Sequence, residues 1–311
     1  MPFWESEDRM TSRRSVVLTF LAAVSAAAVP LANPAPLADR THAKEVEQWR
    51  AKHEADYRNE YVPLAGLFFL KPGRNTAGSA ASSDIMLPGR APASVGEFVY
   101  QKPRIRFEPH SGSPVTLKGK VVTAPIELRS DGAKEYEELA IGDITFWVHE
   151  SGERRAIRLR DPQSDMAKSF QGFHWFPIDE RYRVVARFIK DPAPRPIQIP
   201  TLAGDEETET TEGVVEFTLN GARIRMRPVT TRPGRLWFIF RDATAGHETY
   251  EAARFLYSDL KADGTTVLDF NEAYNPPCSF NSFTTCPLPL PENRLTARIP
   301  VGEMAYPHPS K

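Results

Sequence analysis

Residues 236–295 read LWFIFRDATAGHETYEAARFLYSDLKADGTTVLDFNEAYNPPCSFNSFTTCPLPLPENRL, and their periods decide the fold class. Leu236–Phe240 is an unbroken apolar run with aromatics, too short for a helix and suited to a buried strand. Asp242, Thr244 and Gly246 interrupt it as turn residues do. From Tyr250 a period of two sets Tyr250, Ala252, Arg254 and Leu256 on one face. Glu251, Ala253, Phe255 and Tyr257 take the other. In Thr266–Asn271, Val267, Asp269 and Asn271 share a face, with Leu268 and Phe270 opposite. Ala262-Asp263-Gly264-Thr265 between the two runs is a turn signal.

A hairpin centred on that turn makes Arg254 and Asp269 direct cross-strand partners. The loop is long enough to leave the register open, and a slip of one residue sends one of the two to the other face. An Arg on a mostly apolar face needs a carboxylate if it is buried. The pair reads in two ways. It is a structural ion pair, or it is the floor of a polar pocket with Asp242, His247, Glu248, Tyr250 and Asn271 around it.

Pro276, Pro277, Pro287, Pro289 and Pro291 remove backbone donors and fix φ, so residues 275–291 are predicted to be neither helix nor central strand. They are expected to run as an ordered, extended loop over the surface. Cys278 and Cys286 are the only cysteines. Their spacing favours a disulfide closing the loop, with free thiols as the alternative. Two cysteines without a second pair are a weak zinc signal, and no metal is expected.

The run Phe240-x-Asp242-x-Thr244-x-Gly246-x-x-Thr249-Tyr250, followed by Arg254-Phe255-Leu256, resembles the prokaryotic family termed domain of unknown function 1684. The same resemblance is carried by Leu268-Asp269-Phe270-Asn271-x-Ala273-Tyr274-Asn275-Pro276-Pro277-Cys278, by Thr285-Cys286-Pro287-Leu288-Pro289, and by Asn293-Arg294-Leu295 and Gly302-Glu303. Leu64–Leu70 with Gly73-Arg74-Asn75 looks like the family's opening, so the likeness spans roughly Trp49 to Tyr306. Ala245, Leu260-Lys261 and Leu290 depart from the pattern. The resemblance implies no activity and no catalytic residue.

The fold class expected is mainly β, with two antiparallel sandwich- or barrel-like halves after one amphipathic helix and an export signal. Its parts are a targeting segment over 1–38, the helix within 39–62, an N-terminal β domain over 63–190 and a C-terminal β domain over 191–311. Ser12-Arg13-Arg14-Ser15-Val16-Val17 resembles a twin-arginine export signal, and the apolar run after it is too short to span a bilayer. Export to a periplasmic or extracellular destination follows, with no transmembrane span in the mature chain. Thr41–Asn59 is predicted as a helix capped by Thr41, with Val46, Trp49, His53 and Tyr57 on one stripe. From Leu64 to Ile189 only short strands and turns are read. The Gly73, Asn75, Gly78-Ser79 and Asp84–Leu87 pattern resembles a forkhead-associated sandwich. The Ser-x-x-His of such domains is replaced by Ala93-Ser94-Val95-Gly96, which leaves phosphopeptide binding a minor alternative.

His149 and His174, beside Trp147 and Trp175, are read as core or rim histidines before ligands. Arg158 and Arg160 share one strand face, expected to be the wet one. The prolines of Asp191–Pro196 suggest a joint, and Asp205–Glu212 reads as an acidic, solvated loop. Asn220-Gly221 marks a hairpin. The 28 prolines among 311 residues, near twice the usual share, agree with many turns.

A net charge of −1 with signs interspersed gives no electrostatic footprint for nucleic acid. No Gly-rich phosphate loop, metal-spaced histidine pair or nucleophile-elbow serine occurs, so no cofactor is assigned. The reading favoured is an exported protein binding a small ligand in a polar pocket of its C-terminal half. The alternative is a hydrolase, with Asp242 or Glu248 as base, His247 as proton carrier and Arg254 as oxyanion anchor. Oligomeric state is left open.

Overall fold

A computed structural model describes residues 37–307 of the protein, with side chains from residue 40. The export segment, but for its last two positions, lies outside those residues. From Leu37 onward the chain forms one compact unit. Helix α1 (Leu37–Glu60) begins before Thr41, which therefore lies inside the helix and does not cap it. Its expected stripe is the packed one: Val46, His53 and Tyr57 are buried, and Trp49 stacks on His53 at 5.0 Å.

The first half is a sandwich. Its strands are β1 (Leu64–Phe69), β2 (Gly73–Gly78), β3 (Ile85–Met86), β4 (Gly96–Gln101), β5 (Arg104–Pro109) and β6 (Thr116–Leu117). β7 (Lys120–Val121), β8 (Ile126–Leu128), β9 (Glu138–Ile141), β10 (Ile144–Ser151) and β11 (Arg154–Arg160) follow. One sheet has the order β1-β11-β10-β9-β6-β7 and the other β3-β2-β4-β5-β8. Period-two alternation puts Phe98 and Phe107 of one sheet against Phe146, Ile157 and Leu159 of the other in a single core. Phe98 meets Phe146 edge-on across the sheets at 6.1 Å.

The second half holds β12 (Arg183–Pro200), β13 (Glu206–Leu219), β14 (Ala222–Met226), β15 (Val229–Arg232), β16 (Arg235–Phe240), β17 (Arg254–Asp259) and β18 (Thr265–Asp269). They form a four-stranded sheet, β14-β13-β12-β18, and a three-stranded one, β15-β16-β17, that share a second core. Asn220 and Gly221 both take positive φ between Leu219 and Ala222, as a type I′ turn requires. Two expectations change here. Residues 191–196 lie inside β12, where pairing with β13 skips from Lys190 to Arg195, so a bulge absorbs Pro192 and Pro194. Most of the acidic stretch 205–212 is strand, its Glu and Thr alternating along β13 opposite Arg195–Pro200. A third apolar cluster joins α1, Phe170, Phe173 and the proline-rich segment.

Among the described residues no helix is long and apolar enough to cross a membrane. No group of three or more His, Cys, Asp or Glu among them could hold a metal ion.

Candidate functional site

Arg254 finds its carboxylate in Asp242, not in Asp269. It is 1% exposed, and its Nη2 donates to Asp242 Oδ1 at 3.0 Å and to Ile299 O at 2.9 Å. Its Nη1 donates to Val301 O at 2.5 Å. The cause is that the two strands join different sheets. β17 pairs with β16, with Arg254 opposite Phe240, and β18 pairs with β12, with Asp269 opposite Arg183, while Leu260 and Thr266 make an isolated bridge beside the turn. Arg254 therefore points with Leu256 into the core, while Asp269 points the opposite way with Val267. Asp269 pairs with His42 and, at 3.6 Å, with Arg183.

The other expected site residues scatter. His247 is exposed, and Glu248 holds Arg298 through both oxygens at 2.7 Å. Asn271 is buried and ties Asp179 to Asp269 through its amide. Tyr250 donates its hydroxyl to Cys278 Sγ at 3.7 Å. With Asp242 and Arg254 enclosed and His247 on the outside, the hydrolase arrangement has no common cavity in which to work.

Cys278 and Cys286 are free thiols, not the disulfide expected. A 3-10 turn, Pro277–Ser279, directs the Cys278 N–H at Cys286 Sγ at 3.4 Å. Contacts of this kind close the loop with no covalent bond. The loop is interior, not superficial, because its polar groups find partners there. Asn281 donates to Tyr61 O at 3.0 Å and Leu64 O at 2.8 Å, and Asn275 donates its side chain to Glu303 at 3.0 Å.

Where this segment meets α1 and the first sandwich, a cavity of about 310 Å³ opens. Arg158 lies on its wall with its guanidinium incompletely used. Nη2 donates to His149 Nε2 at 2.8 Å, and Nε is buried without a partner. No carboxylate among the described residues forms a salt bridge with it. Burial pushes its pKa below the usual guanidinium range, with Asp131 opposing the shift. Asp131 is the anchor behind it. Its Oδ2 meets His149 Nδ1 at 2.7 Å and accepts from Trp147 Nε1 at 3.0 Å, and its Oδ1 accepts from Glu150 N at 2.9 Å. Arg158 is only a donor, so His149 must offer it a lone pair and carry its proton on Nδ1. The relay Asp131–His149–Arg158 thus fixes the guanidinium's direction.

The remaining walls are aromatic. Tyr57, Tyr61, Trp237, Tyr257 and Tyr274 line the space, with Cys286 beside them. Trp237 stacks on Tyr257 at 5.9 Å, and its Nε1 is a second buried donor lacking a partner. Burial holds all four phenols above their usual range, so each keeps its proton. Glu207 also borders the cavity, and burial, then Glu209 and Asp205, raise its pKa.

Arg158 was assigned to a wet face. That face is instead covered: Arg160 lies over the Trp147 ring at 4.9 Å, and Arg158 faces the aromatic cavity. Its one signal was its place at period two from Ala156, on a strand whose other face carries the buried Ile157 and Leu159.

Residues 168–304 match the model of a family described as Protein of unknown function (DUF1684). The upstream likeness at Leu64–Leu70 lies outside that span. An uncharacterized protein of Haloarcula marismortui, solved by solution NMR, is similar at 27% identity over 46% of this chain and 82% of its own, with a TM-score of 0.39. No curated protein matches.

Proposed function

We propose that the tyrosine-lined cavity at Arg158, in a chain whose residues 168–304 match the DUF1684 family model, binds a small organic carboxylate with a flat apolar body. One observation carries this: a partly buried guanidinium, aimed by His149 and Asp131, forms no salt bridge with any carboxylate of the described residues. Enclosing a cation without an anion is costly, and a ligand carboxylate would relieve that cost with charge-assisted hydrogen bonds. The aromatic walls with polar tips suit a planar body whose edge accepts or donates hydrogen bonds.

Titration calorimetry with benzoate and its neutral isostere benzamide tests the reading. One hydrogen bond between charged groups contributes about 1.5–3 kcal/mol, so benzoate is expected to bind at least about 10-fold tighter. Arg158→Gln should erase the difference. Equal binding of the two compounds, or a preference that survives in Arg158→Gln, contradicts it.

A further inference from the structure

We propose that Cys286 is the nucleophile of this cavity, a thiol that adds to an electrophilic carboxylate held by Arg158. The proposal rests on the carboxylate-binding reading above. Cys286 and Arg158 line the same 310 Å³ space. Around the sulfur the donors are already in place. Cys278 N–H points at Cys286 Sγ at 3.4 Å. Behind Cys278 stands the Tyr250 hydroxyl, which donates to Cys278 Sγ at 3.7 Å. The two thiols are unequal in their surroundings: Cys286 Sγ accepts a backbone N–H and Cys278 Sγ a phenol. Burial opposes the Cys286 thiolate, yet the Cys278 contacts outweigh it and lower the pKa, with Arg158's charge adding to the effect.

The substrate class that uses both groups is an α,β-unsaturated carboxylate. Its carboxylate would sit on Arg158 while the sulfur attacks the β-carbon. An S–C bond forms, the carbon–carbon π bond breaks, and the thiol proton ends on the α-carbon. No redox partner is needed.

Alkylation of the full chain with iodoacetate and with iodoacetamide tests this, with labelling of Cys286 read by peptide mass spectrometry. In either reaction the S–C bond forms as the C–I bond breaks, iodide leaves, and the thiol proton passes to the buffer. Cys286 is expected to label faster than in urea-unfolded protein. It should also prefer iodoacetate over iodoacetamide by at least about 10-fold, the yield of one charge-assisted hydrogen bond. Arg158→Gln should remove the preference and Cys286→Ser the label. If Cys286 labels no faster than in the unfolded chain with either reagent, the nucleophile is overturned and anion binding at Arg158 stands untouched. If iodoacetamide labels it quickly with no preference for iodoacetate, the carboxylate class is overturned. The wild-type ratio decides this even if Arg158→Gln does not fold.

Discussion

Removing the Asp242 carboxylate would leave Arg254 charged, enclosed and facing only the carbonyls of Ile299 and Val301. Breaking a buried pair from one side costs about 3–5 kcal/mol, because the surviving charge has no water to return to. Asp242→Ala is therefore expected to lower stability in urea unfolding by about that amount. Replacing both residues with apolar ones should recover only part of the loss. Asp242 also accepts from Ile299 N at 2.7 Å and from Thr244 Oγ1 at 2.8 Å, so backbone groups are orphaned in the double variant too. A loss under about 1 kcal/mol in Asp242→Ala would show that water reaches Arg254. That Arg254 needs a carboxylate was legible from its apolar strand face. Which carboxylate was not, because the two strands flanking the turn join different sheets and nothing in their local pattern says so.

Helix α1 docks through aromatic stacking on His53, whose ring lies 4.6 Å from Tyr274 and 4.2 Å from Tyr57. Its Nε2 is 4.0 Å from Glu303 on the C-terminal segment. The contact is no ion pair at neutral pH. Burial lowers His53 from 6.5 to about 4 and raises Glu303 from 4.5 to about 8, against the hydrogen bonds from Asn275. The signs oppose. His53, depressed in the fold, contributes stability that is present above pH 6.5 and lost as pH falls through about 4. Glu303, raised in the fold, contributes stability that is present below pH 4.5 and lost as pH rises through about 8. Urea midpoints should thus fall on both sides of a mildly acidic maximum. Glu303→Gln should flatten the alkaline arm and leave the acid one; an unchanged alkaline arm would contradict the assignment. The stripe of α1 was readable because helical period and burial coincide in Val46, Trp49, His53 and Tyr57. Strand β13 was misread at 206–212 because its charge hid an alternation of Glu and Thr. The prolines of 191–196 looked like a break because a bulge is invisible without the partner strand.

The cavity draws its walls from α1, the first sandwich, β16, β17 and the proline-rich segment. No single stretch of sequence holds it, which is why the mainly β architecture was legible and the site was not. The strands betray themselves by local period and by turn residues such as Asn220-Gly221. Arg158 and Cys286 are 128 positions apart, and only the packing of the two halves puts them on one space. The buried Arg254 drew attention as a functional cation, yet its Nη groups are committed to Asp242 and two carbonyls inside the core, and only its Nε lacks a partner. The partly served Arg158 has donors left to offer. Proton–nitrogen NMR of the arginine Nε groups, assigned by loss of one signal in Arg158→Gln, addresses this directly. On titration with benzoate the Arg158 Nε–H resonance should shift and saturate while that of Arg254 stays fixed. An Arg158 resonance unmoved at saturating benzoate, or one that moves no more than those of surface arginines, would contradict it.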